Sequence, residues 1–559
     1  MLFRFAGFSG REILHFLYAE LLQTIWLIAG VMAMMLTLGG CGSAANTANK
    51  KETTQTTAEQ TAYSQEDTAE AAAKETELDV LKIGLAALPT QLDPDRSIGI
   101  ASIKLFYNIF DTLLFTDKEG NITGQLADSW EWQDDTTLNV KIRENVTFQN
   151  GEVCDAEDVK FTFDRILSGY GDGTIAVLYE TLDSVEKIDD LTVQFKLKKP
   201  DAAFEQRLGS IWGASIVPKD YIEEIGDEAF QTAPIGTGPY KLTQYSPEKY
   251  VLERYDGFWG DKPAAKSIEF ISYPEASARM TALITGEVDI INDVPSDAVD
   301  TINGTSGVSV VGTSIKNIHI YAFNTRNEDS IMSNQKFRQA LTMAIDRQTL
   351  VDTLWSGYAK VPNGHQFESY GDLYIEDYPG VQYDPEKARE LVKESGYDGE
   401  EVISIEMADG YYTNGNQAGE AIVSMLADIG VKAEVVFTDK FSFSADIRAW
   451  SSASRFDNPL GALWLLFGTG SGPANPETGS WTPTEEFVAA GNTLIDSKDL
   501  EEQRQAARTL MEVFDTYCPG TYLYQAEDLY GIRDGLEWDM TYCENQIMPF
   551  RAGDLKVTE

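Results

Sequence analysis

The chain has 559 residues, 43% hydrophobic and 24% charged, which is a globular composition with enough length for more than one domain or lobe. The formal net charge of −45 argues against nucleic acid as a partner, because phosphate binding requires clustered Lys and Arg side chains. Four cysteines are too few for a disulfide scaffold.

The N-terminus has the pattern of an export signal. An apolar run over residues 25–38 follows two arginines, and the sequence L-G-G-C then ends at Cys41. Small residues before a cysteine resemble the lipobox of bacterial lipoproteins, in which the thiol accepts a diacylglycerol. A transmembrane anchor is the alternative, but the run is short for a span. We therefore predict a signal peptide over residues 1–40, a lipid on Cys41, and an extracytoplasmic position at the membrane.

The segment after Cys41 has a composition that does not fold. Residues 41–78 consist mainly of Thr, Ala, Gln, Glu, Ser and Lys. They cannot bury enough apolar surface to offset the entropy of ordering, so we predict a disordered tether. An extracytoplasmic position is oxidising, so that Cys518 and Cys543 could pair and leave Cys154 unpaired, although their spacing does not decide it.

The folded body begins with short strands and amphipathic helices. Residues 100–114 have apolar side chains on one helical face, and Asp155 followed by Asp158 three positions later predicts a capping box at a second helix. Alternating apolar residues predict strands at 81–85, 138–142, 191–197 and 211–218.

The stretch I-G-T-G-P-Y at residues 235–240 predicts a rigid turn that leads into a β-hairpin. Gly236 and Gly238 are expected to supply unusual φ angles, and the proline fixes its own. The hairpin strands are predicted at 240–245 and 250–255. Taken alone, this pattern indicates a structural hairpin.

The C-terminal half again alternates helices with strands. Its helices are predicted at 276–283, 337–347, 384–391, 417–429, 487–494 and 502–514. Asp384 is predicted to be the N-cap of the helix at 384–391, with Pro385 at the first helical position. Its strands are predicted at 286–291, 317–324, 430–436 and 520–524. Trp450 is expected to open a loop-rich segment that runs to Trp481.

The order of these segments resembles one family, the extracellular solute-binding proteins of ABC transporters of the peptide/nickel type, family 5. The resemblance covers roughly residues 79–559 and includes G-T-G-P-Y at 236–240, G-F-W-G at 257–260, D-A-E-D-V-K-F at 155–161, R-Q-A-L-T-M-A-I-D-R at 338–347 and D-P-E-K-A at 384–388. It implies an α/β fold of two lobes, the type II periplasmic-binding-protein fold. The implied first lobe is discontinuous, at 79–315 and 517–559, and the second lobe is inserted at 316–516.

The sequence contains no recognisable catalytic motif. H-E-x-x-H, G-x-S-x-G and the P-loop pattern are all missing. His319 lies in an apolar strand and is interpreted as a core histidine, and a metal site would depend on very few histidines. We therefore predict neither enzymatic activity nor a cofactor nor a bound metal.

The resemblance implies a cleft that encloses a polar solute and replaces its hydrogen bonds. Trp450 and Asp457 stand where family members place a cleft tryptophan and, in peptide binders, an aspartate that holds the ligand amine. Tyr411, Tyr412 and Asn414 precede a predicted helix and are candidates to present rings and amides to the cleft. The predicted ligand-binding residues are Trp450, Asp457, Arg455, Tyr411, Tyr412, Asn414, Asn324 and Trp212.

One departure from the family bears on the ligand. Dipeptide-type members carry an arginine that clamps the ligand carboxylate, but no Lys or Arg occurs between Ser404 and Lys432. Dipeptide binding therefore requires Arg455 or Arg326 as a substitute, and longer peptides are favoured. A nickel chelate or an oligosaccharide is an alternative ligand of the same fold.

The resemblance also implies partners and a mechanism. We expect a monomer that closes about a hinge on its solute and delivers it to an ABC permease driven by a cytoplasmic ATPase. A surface-anchored hydrolase of peptides or glycans is the alternative from another class. A receptor or chaperone-like lipoprotein without a transport role is a third possibility.

Overall fold

The computed structural model of the protein describes residues 77–96, 99–173, 175–440 and 442–558, all within one compact unit, Ala73–Glu559. The predicted signal peptide, Cys41 and the tether up to residue 76 lie outside these residues. Leu78 already belongs to the fold, because it forms a β-bridge with Ala265. Within the described ranges, no helix is both long and apolar enough to cross a bilayer.

The described residues form nineteen strands and fourteen α-helices. The strands are β1 Leu81–Leu85, β2 Leu114–Thr116, β3 Ile122–Gly124, β4 Ala127–Asp134, β5 Thr137–Ile142, β6 Leu182–Asp189, β7 Thr192–Leu197, β8 Tyr240–Tyr245, β9 Lys249–Arg254, β10 Ser267–Ser272, β11 Ile290–Ile291, β12 Val308–Phe323, β13 Ala359–Lys360, β14 Ile403–Met407, β15 Ala433–Phe437, β16 Ile447–Ala453, β17 Gly520–Arg533, β18 Leu536–Trp538 and β19 Leu555–Val557. The helices are α1 Ile100–Ile109, α2 Ala156–Leu167, α3 Phe204–Leu208, α4 Lys219–Ile225, α5 Asp227–Phe230, α6 Ala276–Ile284, α7 Val299–Asn303, α8 Gln335–Ala344, α9 Arg347–Leu354, α10 Pro385–Ser395, α11 Gly415–Asp428, α12 Leu463–Phe467, α13 Glu485–Asp496 and α14 Leu500–Tyr517.

A mixed sheet of eleven strands forms the centre of the fold. Ten strands follow the order β15-β14-β16-β12-β17-β11-β1-β10-β9-β8, and β13 pairs with β17 beside this path. β1 is parallel to β10 and β11, whereas β8, β9 and β10 are antiparallel neighbours. A second, antiparallel sheet has the order β4-β5-β7-β6. Helices between these strands complete the mixed α/β fold that the sequence predicts.

Two long strands, β12 and β17, join the two halves of the central sheet. Residues 308–314 of β12 pair with 527–533 of β17, and pairing resumes between Ile318 and Gln525 after a register shift. A second shift follows between Ile318 and Ile320. β16 then continues the sheet on the far side of β12, and β11 continues it on the far side of β17. The two shifts interrupt the ladder locally, as β-bulges do.

Buried apolar side chains form three clusters against this sheet. The largest packs around β1 and α2 and includes Leu81, Phe106 and Phe163, none of which is exposed to solvent. The second packs α8 and α11 against β14 and includes Phe337 and Ile405, and the third lies under α6 and α7. Burial of each large apolar side chain contributes about 1.5–3 kcal/mol to stability.

The two glycines of the G-T-G-P turn have a different purpose from the predicted one. Neither Gly236 nor Gly238 has a positive φ, so the expectation of an unusual φ is wrong. Instead, a Cβ on Gly236 would lie 2.3 Å from the carbonyl oxygen of Ile109, and one on Gly238 would lie 2.7 Å from the carbonyl carbon of the same residue. Glycine is needed because the backbone of the turn passes directly over the end of α1.

A buried glutamine fastens this turn to its neighbours. The Gln149 amide group donates to the carbonyls of Ile109 and Tyr240 at 2.8 Å, and its oxygen accepts from the backbone N–H of Gly236 at 2.8 Å. These bonds satisfy backbone groups that the tight approach leaves without a strand or helix partner.

The predicted helix caps are confirmed. Asp155 accepts from the backbone N–H of Glu157, and Asp158 accepts from that of Asp155, which completes the capping box of α2. Asp384 caps α10 by accepting from the N–H of Lys387, with proline at the first helical position. Caps are predictable because all their atoms lie within a few residues of one another.

Several predicted elements differ from those observed. The helix at 100–114 ends at Ile109, and the strand at 286–291 shrinks to β11. The segment at 211–218 is a turn with a single bridge from Ser215 to Thr112 rather than a strand. Trp450 lies inside β16 rather than at the start of a loop, because residues 447–453 pair with β12.

The predicted helix at 337–347 is two helices, α8 and α9. The break has a tertiary cause, since the buried guanidinium of Arg347 donates to the carbonyls of Thr342 and Ile345, both at 3.2 Å, and to that of Tyr522 at 2.8 Å. Ile345 consequently has an extended backbone. The carbonyl of Thr342 is thereby bonded to a side chain instead of to the next helical turn.

The three described cysteines are free thiols. Cys154, Cys518 and Cys543 are all buried, and no disulfide links Cys518 to Cys543. Burial raises the pKa of the Cys518 thiol to about 12. The disulfide between Cys518 and Cys543 that an oxidising compartment would permit is therefore not formed.

Candidate functional site

Trp450 stands at the centre of β16, opposite Ile320 of β12. The side chains of residues 448 and 450 lie on the same face of the strand because successive strand residues alternate. The guanidinium of Arg448 lies 4.5 Å from the centroid of the Trp450 ring and 4.6 Å from that of Phe443. The centroids of the two rings are 5.7 Å apart, so the cation packs against both rings and helps to fix the tryptophan in a half-buried position.

A small cavity of about 20 Å³ lies between β12, β16 and the start of α11. Aromatic side chains line much of it, including His319, Tyr412, Trp450 and Tyr524. The imidazole of His319 stacks on Tyr524 at 4.9 Å and meets Tyr412 edge-on at 4.8 Å. Burial lowers the pKa of His319 to about 4, so this ring is neutral near pH 7. The cavity has room for a single water molecule.

Tyr411, Tyr412 and Asn414 have three different environments. The Tyr411 ring is 61% exposed and packs edge-on against Tyr412, whose hydroxyl donates to Ser451 Oγ at 3.2 Å. Asn414 has a left-handed backbone before α11, and its amide donates to the carbonyl of Leu354 at 2.7 Å. Tyr411 is thus available to a ligand, whereas the Asn414 amide connects two segments of the protein.

Asn324 and Arg326 are occupied by structural contacts. The Asn324 amide donates to the carbonyl of Ser444 at 3.1 Å. The Arg326 guanidinium donates to the carbonyls of Asn475 at 2.8 Å and Pro476 at 2.5 Å. Arg326 therefore closes a loop, which leaves Arg455 as the remaining candidate for the missing carboxylate clamp.

Arg455 and Trp212 lie against each other. The guanidinium carbon of Arg455 is 3.6 Å from the centroid of the Trp212 ring, and Trp212 is 3% exposed. In the part of the chain that the structure describes, no carboxylate forms an ion pair with Arg455, and the buried Nη1 of Arg455 and Nε1 of Trp212 have no hydrogen-bond acceptor. Burial lowers the pKa of Arg455 to about 10, so the guanidinium keeps its charge near neutral pH.

Asp457, two residues after Arg455, has both an ion-pair partner and a hydrogen-bond donor. Its Oδ1 lies 2.7 Å from Lys316 Nζ, and its Oδ2 accepts from the same ammonium at 2.9 Å. Ser369 Oγ donates to Oδ1 at 2.8 Å. This carboxylate is already neutralised and hydrogen-bonded within the protein.

Residues that the sequence assigns to different lobes meet at this place. Ser210 Oγ donates to the carbonyl of Arg455 at 2.6 Å, and Gln206 Nε2 donates to that of Asp457 at 3.3 Å. The guanidinium of Arg207 lies 4.9 Å from the Phe456 ring centroid. The structure thus brings Trp212, Arg455 and Asp457 together. Trp450 and Tyr412 line the aromatic cavity, and Tyr411, which packs on Tyr412, lies close enough to Arg455 to interact with its charge.

Lys316 and a histidine–serine contact are absent from the sequence-based site. His365 Nε2 lies 2.7 Å from Ser452 Oγ, but Ser452 is fully buried and burial lowers the pKa of His365 to about 3. This serine is inaccessible as a nucleophile. Lys316 is separated from Asp457 by 141 positions, and no local pattern could have indicated their pairing. Over the ranges described, no three His, Cys, Asp or Glu side chains are arranged to hold a metal ion.

Comparisons with known proteins agree with this architecture. The family of bacterial extracellular solute-binding proteins, family 5 Middle, matches residues 121–482. The glutathione-binding protein GsiB of Escherichia coli (strain K12) is 29% identical over 364 residues, which cover 64% of this chain and 69% of that protein.

Two solved structures share the fold over nearly their whole length. The periplasmic binding protein DppA from Helicobacter pylori, in complex with the peptide STSA, has a TM-score of 0.77 and 20% identity over 87% of this chain and 99% of that one. The protein AgaA from A. tumefacien R10, in complex with agropinic acid, has a TM-score of 0.75 and 21% identity over 86% of this chain and 99% of that one. These likenesses confirm the predicted periplasmic-binding-protein fold.

Proposed function

The chain belongs to the bacterial extracellular solute-binding proteins of family 5, and from this premise we propose that it is the lipid-anchored receptor of an ABC importer for peptides or peptide-like acids. Members of the family bind small molecules or peptides and work with an ABC permease and its ATPase. They are not enzymes, which removes the surface-anchored hydrolase from consideration.

The observation that supports an acidic ligand is the guanidinium of Arg455, which has no ion-pair partner among the described residues. A desolvated charge without a counter-ion is costly, and a solute carboxylate would relieve that cost with two parallel charge-assisted hydrogen bonds. Trp212 stacks beneath the guanidinium and holds it in plane. Its own Nε1–H is buried without an acceptor and is a second unsatisfied donor beside the guanidinium.

The named solutes of the relatives have the same chemistry. Glutathione, a peptide and agropinic acid are all carboxylic acids. A neutral oligosaccharide would leave the Arg455 charge uncompensated, so it is disfavoured. A nickel chelate would have to carry carboxylate groups in order to bind here, and those carboxylates would pair with the same guanidinium.

The proposal includes a tethered monomer that closes on its solute. The predicted lipid at Cys41 and the tether hold the protein at the outer face of the membrane. Bending at the register shift between β12 and β17 would separate Ser210 and Arg455, whose contact belongs to the closed arrangement. Closure excludes water from the carboxylate and thereby strengthens its interaction with Arg455.

Native mass spectrometry of the mature protein, purified without denaturation, tests the ligand class. We expect adducts with the masses of peptides or other carboxylic acids, and we expect Arg455→Gln to lose them while the control Arg326→Gln keeps them. Small-angle scattering of the same samples should show a more compact protein with the solute than without it. A neutral adduct that persists in Arg455→Gln would contradict the acidic ligand but not the transport role.

A further inference from the structure

Lys316 lies where the pairing of β12 with β17 is interrupted. The ladder stops at Ser314 opposite Glu527 and resumes at Ile318, so the backbone of residues 315–317 leaves the regular register. The Gln525 amide donates to the carbonyl of Ile315 at 2.7 Å and bridges the gap. Lys316 is 5% exposed at this point, and a lysine so deeply buried requires anionic partners.

Two carboxylates from distant parts of the chain are the anionic partners of Lys316. Lys316 Nζ lies 2.7 Å from Asp457 Oδ1 and 2.7 Å from Glu544 Oε1. Asp457 follows β16, whereas Glu544 belongs to the 3-10 helix Thr541–Asn545 near the C-terminus. The ammonium therefore sits between segments that the sequence assigns to the second and the first lobe.

Lys316 and Arg455, two cations of this neighbourhood, differ in their partners. Asp457 accepts from both Lys316 and Ser369, so a ligand ammonium could reach that carboxylate only by displacing a buried lysine. Arg455 has no anion within reach among the residues described. The ammonium of Lys316 is thus shared by Asp457 and Glu544, whereas the guanidinium of Arg455 has no carboxylate partner in the described part of the chain.

We propose that Lys316 is a specificity-determining residue, whose ammonium occupies the position of a ligand cation on Asp457. The inference rests on the proposed function and narrows its ligand class. The preferred solutes are acids that present no free ammonium beside Asp457, such as peptides whose amino group is acylated. Peptides with a free terminal ammonium are disfavoured, because binding would bring their charge against that of Lys316.

Isothermal titration calorimetry with trialanine and N-acetyl-trialanine tests this inference. Wild-type protein, stripped of bound solute, should bind the acetylated form at least about tenfold more tightly. Lys316→Met keeps the length of the side chain but frees Asp457, so it should lose this preference or reverse it by binding the free ammonium. Asp457→Asn in the Lys316→Met background should abolish the acquired affinity for trialanine.

Controls separate specificity from structural damage. Glu544→Gln leaves the Lys316–Asp457 pair in place and should keep the preference for the acetylated peptide. If Lys316→Met fails to fold, Lys316→Gln, which keeps a hydrogen-bond donor for Asp457 but removes the charge, decides the matter. It should narrow the preference for N-acetyl-trialanine over trialanine, and an unchanged preference there would overturn the inference.

The outcomes also distinguish this inference from the proposed function. Equal affinity of the wild-type protein for both peptides, or a preference for trialanine, would overturn the role of Lys316 and leave peptide capture intact. Binding of neither peptide by the wild-type protein or by any variant would overturn the peptide class itself, and the inference with it.

Discussion

At the scale of single residues, the candidate site contains two charged side chains whose observed environments differ from the predicted ones. Asp457 was predicted from the family resemblance as the group that holds a ligand amine, yet its carboxylate is bonded to Lys316 and Ser369. Arg455 was only a possible substitute for a missing clamp, yet its guanidinium has no ion-pair partner and its Nη1 no hydrogen-bond acceptor among the described residues. Burial without a counter-ion, rather than position in a motif, is the reason why Arg455 is the proposed ligand-binding residue.

This contrast predicts how two buried arginines will respond to the loss of charge. Arg455→Met removes a desolvated cation without an ion pair, so the free energy of unfolding should stay within about 1 kcal/mol of the wild-type value or rise. Arg338→Met is the matched control, because its guanidinium donates to the carbonyls of Met332, Tyr517 and Cys518, and the loss of these bonds should cost about 3 kcal/mol or more.

Urea unfolding of both variants, followed by circular dichroism, measures the two differences. An Arg455→Met variant that loses as much stability as Arg338→Met would show that its guanidinium is held by structural partners. The acidic ligand would then lose its main support.

At the scale of helices and strands, the sequence predicts what is local. The caps at Asp155 and Asp384 and the hairpin strands β8 and β9 were all expected, because turn and cap atoms lie close together in the chain. The break between α8 and α9 was not, since its cause is a contact between Arg347 and β17. Trp450 was likewise misplaced because its strand exists only through pairing with β12.

The capping box of α2 provides a prediction about pH. Asp158 is 8% exposed, and burial raises its pKa to about 6 despite the hydrogen bonds from Asp155 and Lys219. The folded protein therefore binds this proton more tightly than the unfolded chain, whose aspartate pKa is about 3.9. The stabilisation from protonating Asp158 is fully present below about pH 4 and is lost as the pH rises through 6.

Asp158→Asn removes this dependence. As the pH rises from 4 to 7, the wild-type protein should lose about 2–3 kcal/mol of unfolding free energy relative to the variant, which is two pKa units at about 1.4 kcal/mol each. Urea titrations at four pH values measure this difference, and the one hydrogen bond that asparagine cannot accept shifts all values equally. A difference that is constant with pH would contradict the raised pKa.

At the scale of the whole molecule, the reactivity of the buried thiols measures whether the folded protein opens. Cys154, Cys518 and Cys543 lie in different parts of the chain, and none is more than 1% exposed. Burial raises the pKa of all three, so they should be protonated and inert at pH 8. We expect a disulfide reagent such as dithiobis-nitrobenzoate to find no reactive thiol in the native described region.

The same reaction in guanidinium chloride tests two sequence-based expectations at once. Three thiols should react if Cys41 is acylated as predicted, and four if it is free. A count of one would mean that Cys518 and Cys543 are oxidised to a disulfide in the mature protein, contrary to the structure.

The lobe boundaries remain a prediction at this scale. The sequence placed the return to the first lobe at residue 517, where an apolar strand begins. β17 in fact continues without interruption from Gly520 to Arg533 and pairs with β12 on both sides of the register shift. Boundaries of this kind cannot be obtained from periodicity, because one continuous strand belongs to both halves of the sheet.

The position of β17 has a consequence for how the protein is made. Within the described residues, β17 links β12 to β11 in the sheet order, yet it follows both of them only after the whole segment from β13 to α14. Strand pairings over such long sequence separations form late, so β12 and β11 keep unpaired edges until β17 is present. If the polypeptide leaves the cytoplasm N-terminus first, β11 and β12 cross the membrane long before β17 does. The central sheet would then stay incomplete, and the chain unfolded enough for transfer, until β17 has crossed.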